Sequence, residues 1–417
     1  MSKSAIRLSV SERTLKSGLT LLAVHNPGVP TYACVVSLDT RVSDDPPGLP
    51  GVANMVGETL DEGTSRHDAL ELSAAAEGLG AALEGNHRGG AVMCPAPSQK
   101  KATELLREMV LEPSFPGREV RRVQSEVLTE MQADLDDPRT VAVRRFRAKI
   151  YGDHVFGRSM QGTLQSVAAI KPKHLRDYHA RWFRPRGGYV AAAGPFEPEE
   201  MLDRLERAFR GLRGAAPEHA VHPVVPLGEA SEEHVAMARE QVHVFLGHVG
   251  VRRMDPDFYK LSVMDHILGS GPGFTSRCSR RLRDEMGLCY AVSAGISASA
   301  DEEPGTFTAY IGASAANRQK AIDGFLEEIR RIRSEAPSEA ELQDVKDYLT
   351  GSYVFGLERN SNLAGYAIRA RKFGLGYDFV ERYPDIVRSI TVDDVREAAE
   401  RHLHPDRLTI VSAGAST

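Results

Sequence analysis

Two stretches of this 417-residue chain carry side chains whose types and spacing suit chemistry. The first is Gly51-Val-Ala-Asn-Met-Val-Gly-Glu-Thr-Leu-Asp-Glu-Gly-Thr64, which reads as a short helix over 52–62 ended by Gly63. Val52, Met55, Val56 and Leu60 make an apolar stripe, and Asn54, Gly57, Glu58 and Asp61 share the opposite face. Polar groups at i, i+3 and i+4 are how a helix presents ligands to a metal ion. Here Gly57 offers nothing and Asn54 only an amide, a poor donor for zinc. Further along, Glu119 and Glu126 lie seven residues apart and so on one helical face. Taken alone, they are surface carboxylates. The second stretch, Leu282-Arg-Asp-Glu-Met-Gly-Leu-Cys-Tyr290, holds Arg283 and Tyr290. A fixed cation and a phenol O–H are suitable donors for a developing negative charge. Without context, the pair reads as an ion-paired helix arginine and a half-buried strand tyrosine.

Composition excludes several classes. A 41% apolar and 26% charged chain with net charge −5 is of the ordinary globular type, with no electrostatic call for nucleic acid or an anionic membrane. Basic runs such as Arg280-Arg281-Leu-Arg283 are short and interleaved with acids, as on solvated helix faces. The four cysteines, Cys34, Cys94, Cys278 and Cys289, contain no Cys-x-x-Cys pair, so reduced thiols are expected. No signal-like apolar region follows Met1, and no run approaches a membrane span of about 20 apolar residues. The expected location is cytoplasmic.

The elements that must position these residues alternate between strands and helices. A β-rich region over 14–40 turns at Lys16-Ser-Gly18. Helices follow at 52–62, 67–78, 100–110, 119–135 and 141–150, with a short strand at 81–83. The 119–135 helix carries the stripe Val120, Val123, Val127, Met131 and Leu135 and stops at Asp136-Asp-Pro138. After helices at 173–181 and 198–209, with a strand over 188–194 between them, the stretch 213–228 holds three prolines and no helical period, as a linker does. Strands at 242–249, 290–297 and 306–311 and helices at 258–268, 276–284 and 317–333 then repeat the order.

The repetition is visible in the letters. Residues 170–194 and 390–414 align without a gap, with Ile170/Ile390, Arg176/Arg396, Arg181/Arg401, Pro185/Pro405, Ala193/Ala413 and Gly194/Gly414 identical. The fold expected is α+β: two homologous domains, 1–212 and 230–417, joined by a Pro-rich linker over 213–229. Each would be a mainly antiparallel sheet with helices packed on it.

In this setting the chain resembles the insulinase (pitrilysin, mitochondrial processing peptidase) family of zinc metallopeptidases. The matching pieces are Leu15-Lys-Ser-Gly-Leu19, Gly51 through Glu62-Gly-Thr64, Glu126 with Asp136-Asp-Pro138, Gly157 through Thr163, Phe183-Arg-Pro185 and Ser276 through Tyr290. Active members carry His-x-x-Glu-His on the first helix, and the resemblance places Asn54, Gly57 and Glu58 at its His, Glu and His positions. Glu126 falls at the later zinc-ligand position, with Glu119 beside it. Where active members usually have Asn-Ala-x-Thr on a substrate-pairing edge strand, this chain has Glu84-Gly-Asn-His87. Gly269-Ser-Gly-Pro-Gly273 corresponds to the family's glycine turn and lacks the Gly-Lys-Ser/Thr of a phosphate loop. Arg283 and Tyr290 fall where the family binds the substrate carbonyl.

The resemblance therefore implies the subunit that lacks the zinc motif and keeps the Arg/Tyr pair. It would hold no metal or cofactor itself and would be inactive alone. It would form a heterodimer with a homologous zinc-bearing sister that cleaves peptides. Two other readings stand beside this one. The first is a purely structural or peptide-binding member. The second is a homodimeric hydrolase using Asn54, Glu58 and Glu126 on another metal.

Overall fold

The computed structural model describes residues 8–223, 225–272 and 275–416. Residues 1–7, Val224 of the linker stretch and Gly273 of the glycine turn lie outside them. In the first half of the chain the elements are β1 (Ser9–Thr14), β2 (Thr20–His25), β3 (Thr31–Ser37), α1 (Val52–Gly57), α2 (Ala69–Glu77), β4 (Ala82–Asn86), β5 (Gly89–Pro95), α3 (Gln99–Leu111) and α4 (Gly117–Asp134). Then come α5 (Pro138–Tyr151), α6 (Leu164–Ala169), α7 (Pro172–Trp182), β6 (Tyr189–Gly194) and α8 (Pro198–Phe209). The second half has β7 (Ser231–Ala236), β8 (Gln241–Val249), α9 (Phe258–Asp265), β9 (Cys289–Gly295), β10 (Thr306–Ser314) and α10 (Arg318–Ser334). It closes with α11 (Glu339–Ser352), α12 (Asn360–Lys372), α13 (Phe379–Ser389), α14 (Val392–His402) and β11 (Thr409–Gly414). Two further segments, His266–Ser270 and Ser279–Glu285, are wound as π-helix.

The duplication read from the letters is a duplication of topology. One sheet runs β1-β2-β6-β3-β5-β4 and the other β7-β11-β8-β10-β9. In each, a single parallel pair, β2·β6 or β7·β11, is followed by antiparallel neighbours only. The aligned segments 170–194 and 390–414 are α7 with β6 and α14 with β11, and β6 and β11 hold the same place in their sheets.

Packing divides the chain differently from its linear order. One compact unit comprises the described residues up to Met131, Ser159–Val221 and Val354–Glu381. The other comprises Gln132–Arg158, His222–Tyr353 and the residues from Arg382 onward. Each unit thus includes one helix from the other half of the sequence. Leu363, Ala364, Ala367 and Ile368 of α12 cover Leu22, Val24, Ala191 and Ala193 of β2 and β6. Ala142 and Phe146 of α5 cover Phe245, Tyr310, Val411 and Ala413. The Phe146 and Phe245 rings lie 6.0 Å apart. The opposite face of the first sheet carries that unit's main core, from Leu19, Leu21, Tyr32 and Val36 to Met109, Val127 and Leu205.

Local departures from the sequence reading have simple causes. Helix α1 stops at Gly57, and residues 58–61 continue as turns. Val120, Val123, Val127 and Met131 are buried, but Leu135 lies beyond the end of α4 and is exposed. His219 of the linker stretch stacks on Trp182 at 5.0 Å and sits 2.8 Å from the Asp44 carboxylate. Replacing Phe146 by Ala should destabilise the second unit by about 3–5 kcal/mol, read as an earlier denaturant midpoint of the fluorescence or CD transition.

Candidate functional site

In the first unit, α1 is held by a half-buried carboxylate. Asp45 accepts the N–H of Gly51 and of Ala53, each at 2.6 Å. Burial pushes its pKa up to about 6 despite these two donors. Val52, Ala53, Met55 and Val56 enter the core. The turn after the helix ends at a polar corner. There the Thr64 hydroxyl donates to buried Glu108, His67 Nδ1 lies 2.8 Å from the same carboxylate, and Ser114 N–H donates to Gly63 O. Glu62-Gly-Thr64 is therefore a structural corner. Its chemistry is that of a fold anchor.

Asn54 is half-buried, Gly57 buried and Glu58 exposed. Partial desolvation raises the Glu58 pKa, and the negative charges of Glu130 and Asp61 raise it further. Gly57 matters through what touches it. The turn between β4 and β5 lies directly on it, so that a Cβ at this position would stand 2.6 Å from His87 N and 2.8 Å from Asn86 C. A backbone cannot yield as a flexible side chain does, so no larger residue fits without moving the hairpin. The absent side chain is accompanied by absent space.

The carboxylates on α4 are also engaged. Arg122 reaches Glu119 through Nε at 2.9 Å, Glu126 through Nη1 at 2.8 and 3.0 Å, and Glu62 through Nη2 at 2.5 Å. The remaining donors do not suit zinc: an amide at Asn54, a raised-pKa carboxyl at Glu58 and carboxylates bound to a guanidinium. Among the described residues the one group with metal-like proximity lies elsewhere, at Asp255, Asp257 and His402. There His402 Nε2 lies 3.0 Å from Asp257, Arg401 donates to the same carboxylate and Lys260 stands 3.7 Å away. Protein cations already balance that site.

In the second unit the Arg/Tyr segment is braced from beneath. Arg277, only 5% exposed, makes a two-pronged pair with Glu341 at 3.0 and 3.2 Å, and Arg280 joins it at 2.9 Å. Leu282 and Leu288 are buried. The helical segment ends with Leu288 N–H donating back to Leu282 O and Gly287 N–H to Arg283 O, with Gly287 at φ +64°. This left-handed stop with an apolar residue just beyond is a physical reason for Gly-Leu at these positions. It leads the chain directly into β9, the edge strand of its sheet.

Arg283 pairs with Asp284 at 3.0 Å. The adjacent Cys289 thiol is pushed up to about 11 by burial, an effect the Arg283 charge partly offsets. Tyr290 is 79% exposed, and its hydroxyl has no hydrogen-bond partner among the described residues. The context-free reading of a half-buried strand tyrosine is corrected: Tyr290 lies near the start of an edge strand and projects into solvent. The structure thus brings Glu119 and Glu126 together through Arg122, and gathers Arg283 and Tyr290 around one helix stop. Sequence reading passed over Arg122 and Glu341. The i−3 and i+4 positions of Glu119 and Glu126 relative to Arg122 were the available signal for the first. No local spacing signals the Arg277–Glu341 pair.

Residues 169–349 match the family described as the peptidase M16 inactive domain. The chain is 25% identical over 416 residues to an uncharacterized zinc protease of Mycobacterium leprae, covering 96% of this chain and 91% of that one. A second, from Streptomyces coelicolor, is 25% identical, with coverage of 94% and 86%. In fold it is similar to a peptidase M16 inactive-domain structure from Pseudomonas fluorescens, with TM-score 0.91, 23% identity and 98% of each chain covered. A Helicobacter pylori protease follows at TM-score 0.86 and 17% identity, covering 97% of this chain and 99% of that one. The chain is thus similar to M16 peptidases, the insulinase/pitrilysin type that its motifs resemble.

Two measurements check this geometry. The Asn54→His/Gly57→Glu/Glu58→His variant should bind no stoichiometric zinc by elemental analysis. It should also be less stable than the parent by about 1–3 kcal/mol from overpacking. The Glu341 carboxylate is held down to about 2, below its ordinary value, by the Arg277 and Ser338 donors, which outweigh its burial. A depressed acid contributes stability above its unfolded pKa and loses it as pH falls through the folded one. Glu341→Gln should therefore be less stable than the parent by about 3 kcal/mol at pH 7. The gap should narrow as pH drops from about 4.5 to about 2 in parallel denaturation series.

Proposed function

We propose that this chain is the non-zinc subunit of a two-subunit M16 peptidase, and that it lends Arg283 and Tyr290 to peptide cleavage by a zinc-bearing sister. The observation that carries the reading is the contrast between the two donor sets. The Gly57 face is filled by the backbone at His87. Tyr290 is held out on an edge strand with its hydroxyl unpartnered, one helix stop away from Arg283. The filled Gly57 face also weighs against a self-sufficient hydrolase on Asn54, Glu58 and Glu126.

In this reading the metal and the attacking water belong to the partner, and this chain acts on the substrate carbonyl. As the carbonyl carbon becomes tetrahedral, negative charge gathers on its oxygen. Arg283 offers a permanent cation and Tyr290 a neutral O–H donor to that oxygen. The brace of Arg277 on Glu341 and the Gly287 stop fix the backbone segment that carries both donors before substrate arrives, which limits the reorganisation needed in the transition state. A purely structural member gains nothing from such pre-positioning.

The test is reconstitution with a sister chain carrying His-x-x-Glu-His, followed by a peptide-cleavage assay. The chain alone should be inactive. In the complex, Tyr290→Phe should lower kcat by about 100-fold and the Arg283→Ala/Tyr290→Phe double variant by more. Unchanged turnover in the double variant would sink the proposal.

A further inference from the structure

The first unit carries a basic face on α7 and its flanks. Residues 171–186 hold six lysines and arginines against a single acid, Asp177, in a chain whose net charge is −5. Leu175, Tyr178 and Trp182 turn α7 toward the core, which leaves Lys173, Arg176 and Arg181 outside. Past the helix end, Arg184 donates to Arg213 O at 3.1 Å and so brings exposed Arg213 into the same face. At the other end, a Cβ on Gly117 would stand 3.4 Å from Arg121 Nη1 and 3.9 Å from Pro172 Cγ. The Arg121 guanidinium therefore lies at the start of α7, where the helix dipole is also positive. Among the described residues this face makes one ion pair, Lys173 with Asp177 at 2.8 Å. The basic runs elsewhere are interleaved with acids; this one is not.

We infer that this face docks an acidic segment of a polypeptide. Four of the six cations in 171–186 are arginines, whose planar forks match carboxylates with two parallel hydrogen bonds. A fork also suits phosphate, but the face lacks what single-stranded nucleic acid or a lipid surface would add. Single strands are held by aromatic platforms as well as cations, and Tyr178, Trp182 and Phe183 are all buried. Membrane surfaces are entered by apolar side chains, and none of the exposed large apolar residues falls within 171–186. Charge complementarity is then the whole of the recognition, and carboxylates in a row supply it. Over its 11 residues α7 is about 16 Å long, a distance that about five extended aspartates and glutamates span. This inference concerns the first unit alone and stands apart from the roles proposed for Arg283 and Tyr290.

The experiment measures fluorescence anisotropy of a labelled peptide of alternating glutamate and aspartate as the full chain is added at low salt. Binding should saturate and should weaken as sodium chloride rises. Arg176→Gln/Arg181→Gln/Arg186→Gln should bind about tenfold more weakly. A control with the same loss of charge, Lys320→Gln/Arg330→Gln/Arg388→Gln, should bind like the parent. Carbodiimide coupling on the parent keeps the test decisive if the first variant does not fold: it should join the peptide to Lys171 or Lys173. A single-stranded RNA, a DNA duplex and phosphatidylglycerol vesicles, each at the same salt, should bind more weakly than the peptide. The inference is overturned if the parent does not bind the peptide, or if both triple variants lose the same affinity. It also falls if coupling maps only to other lysines, or if RNA, duplex or vesicles bind more tightly.

Discussion

A sheet whose strands are apolar on both faces must be covered on both, and here neither half of the chain does this from its own sequence. Leu22, Val24, Ala191 and Ala193 meet α12, while Phe245, Val411 and Ala413 meet α5. The two helices are traded between halves of the same design, each lying over equivalent strands of the other's sheet. Everything else hangs on this trade. The connection running from α4 through Asp136-Asp-Pro138 and the one from α11 to α12 exist to deliver those helices. Only with both faces covered do the sheets hold their edge strands at fixed positions.

On that common frame the two units have diverged where chemistry would sit. In one, the tip of the β4–β5 hairpin rests on a glycine, and an arginine holds the nearby carboxylates. In the other, a two-pronged ion pair and a left-handed helix stop carry an arginine and an exposed tyrosine to the edge of the sheet. Burial and pairing have closed the first face. Termination and bracing have left Tyr290 of the second exposed.

Much of this could be read from the letters because it is encoded locally. The match between 170–194 and 390–414 exposed the repeated helix–strand unit, and period and capping residues placed α3, α4, α7, α8 and α10 to within a residue or two. That Gly57 offers no side chain was plain from its identity, while its place at a base position rested on the family resemblance. What could not be read is long-range. The apolar stripe of α5 says that the helix is covered, but not which sheet covers it. Gly57 says that a side chain is absent, but not that His87 N fills the space. Arg277 and Glu341 are 64 residues apart, and no spacing announces their pair. The π-winding of Ser279–Glu285 likewise has no local signal, since its residues are ordinary helix formers.

The trade of helices has a consequence for synthesis. A ribosome making this chain completes all six strands of the first sheet by Gly194, yet the helix that seals its second face begins only at Asn360. Through that interval the nascent protein carries an apolar β surface with no cover. The growing chain therefore depends on chaperone shelter or on rapid elongation until its last helices emerge.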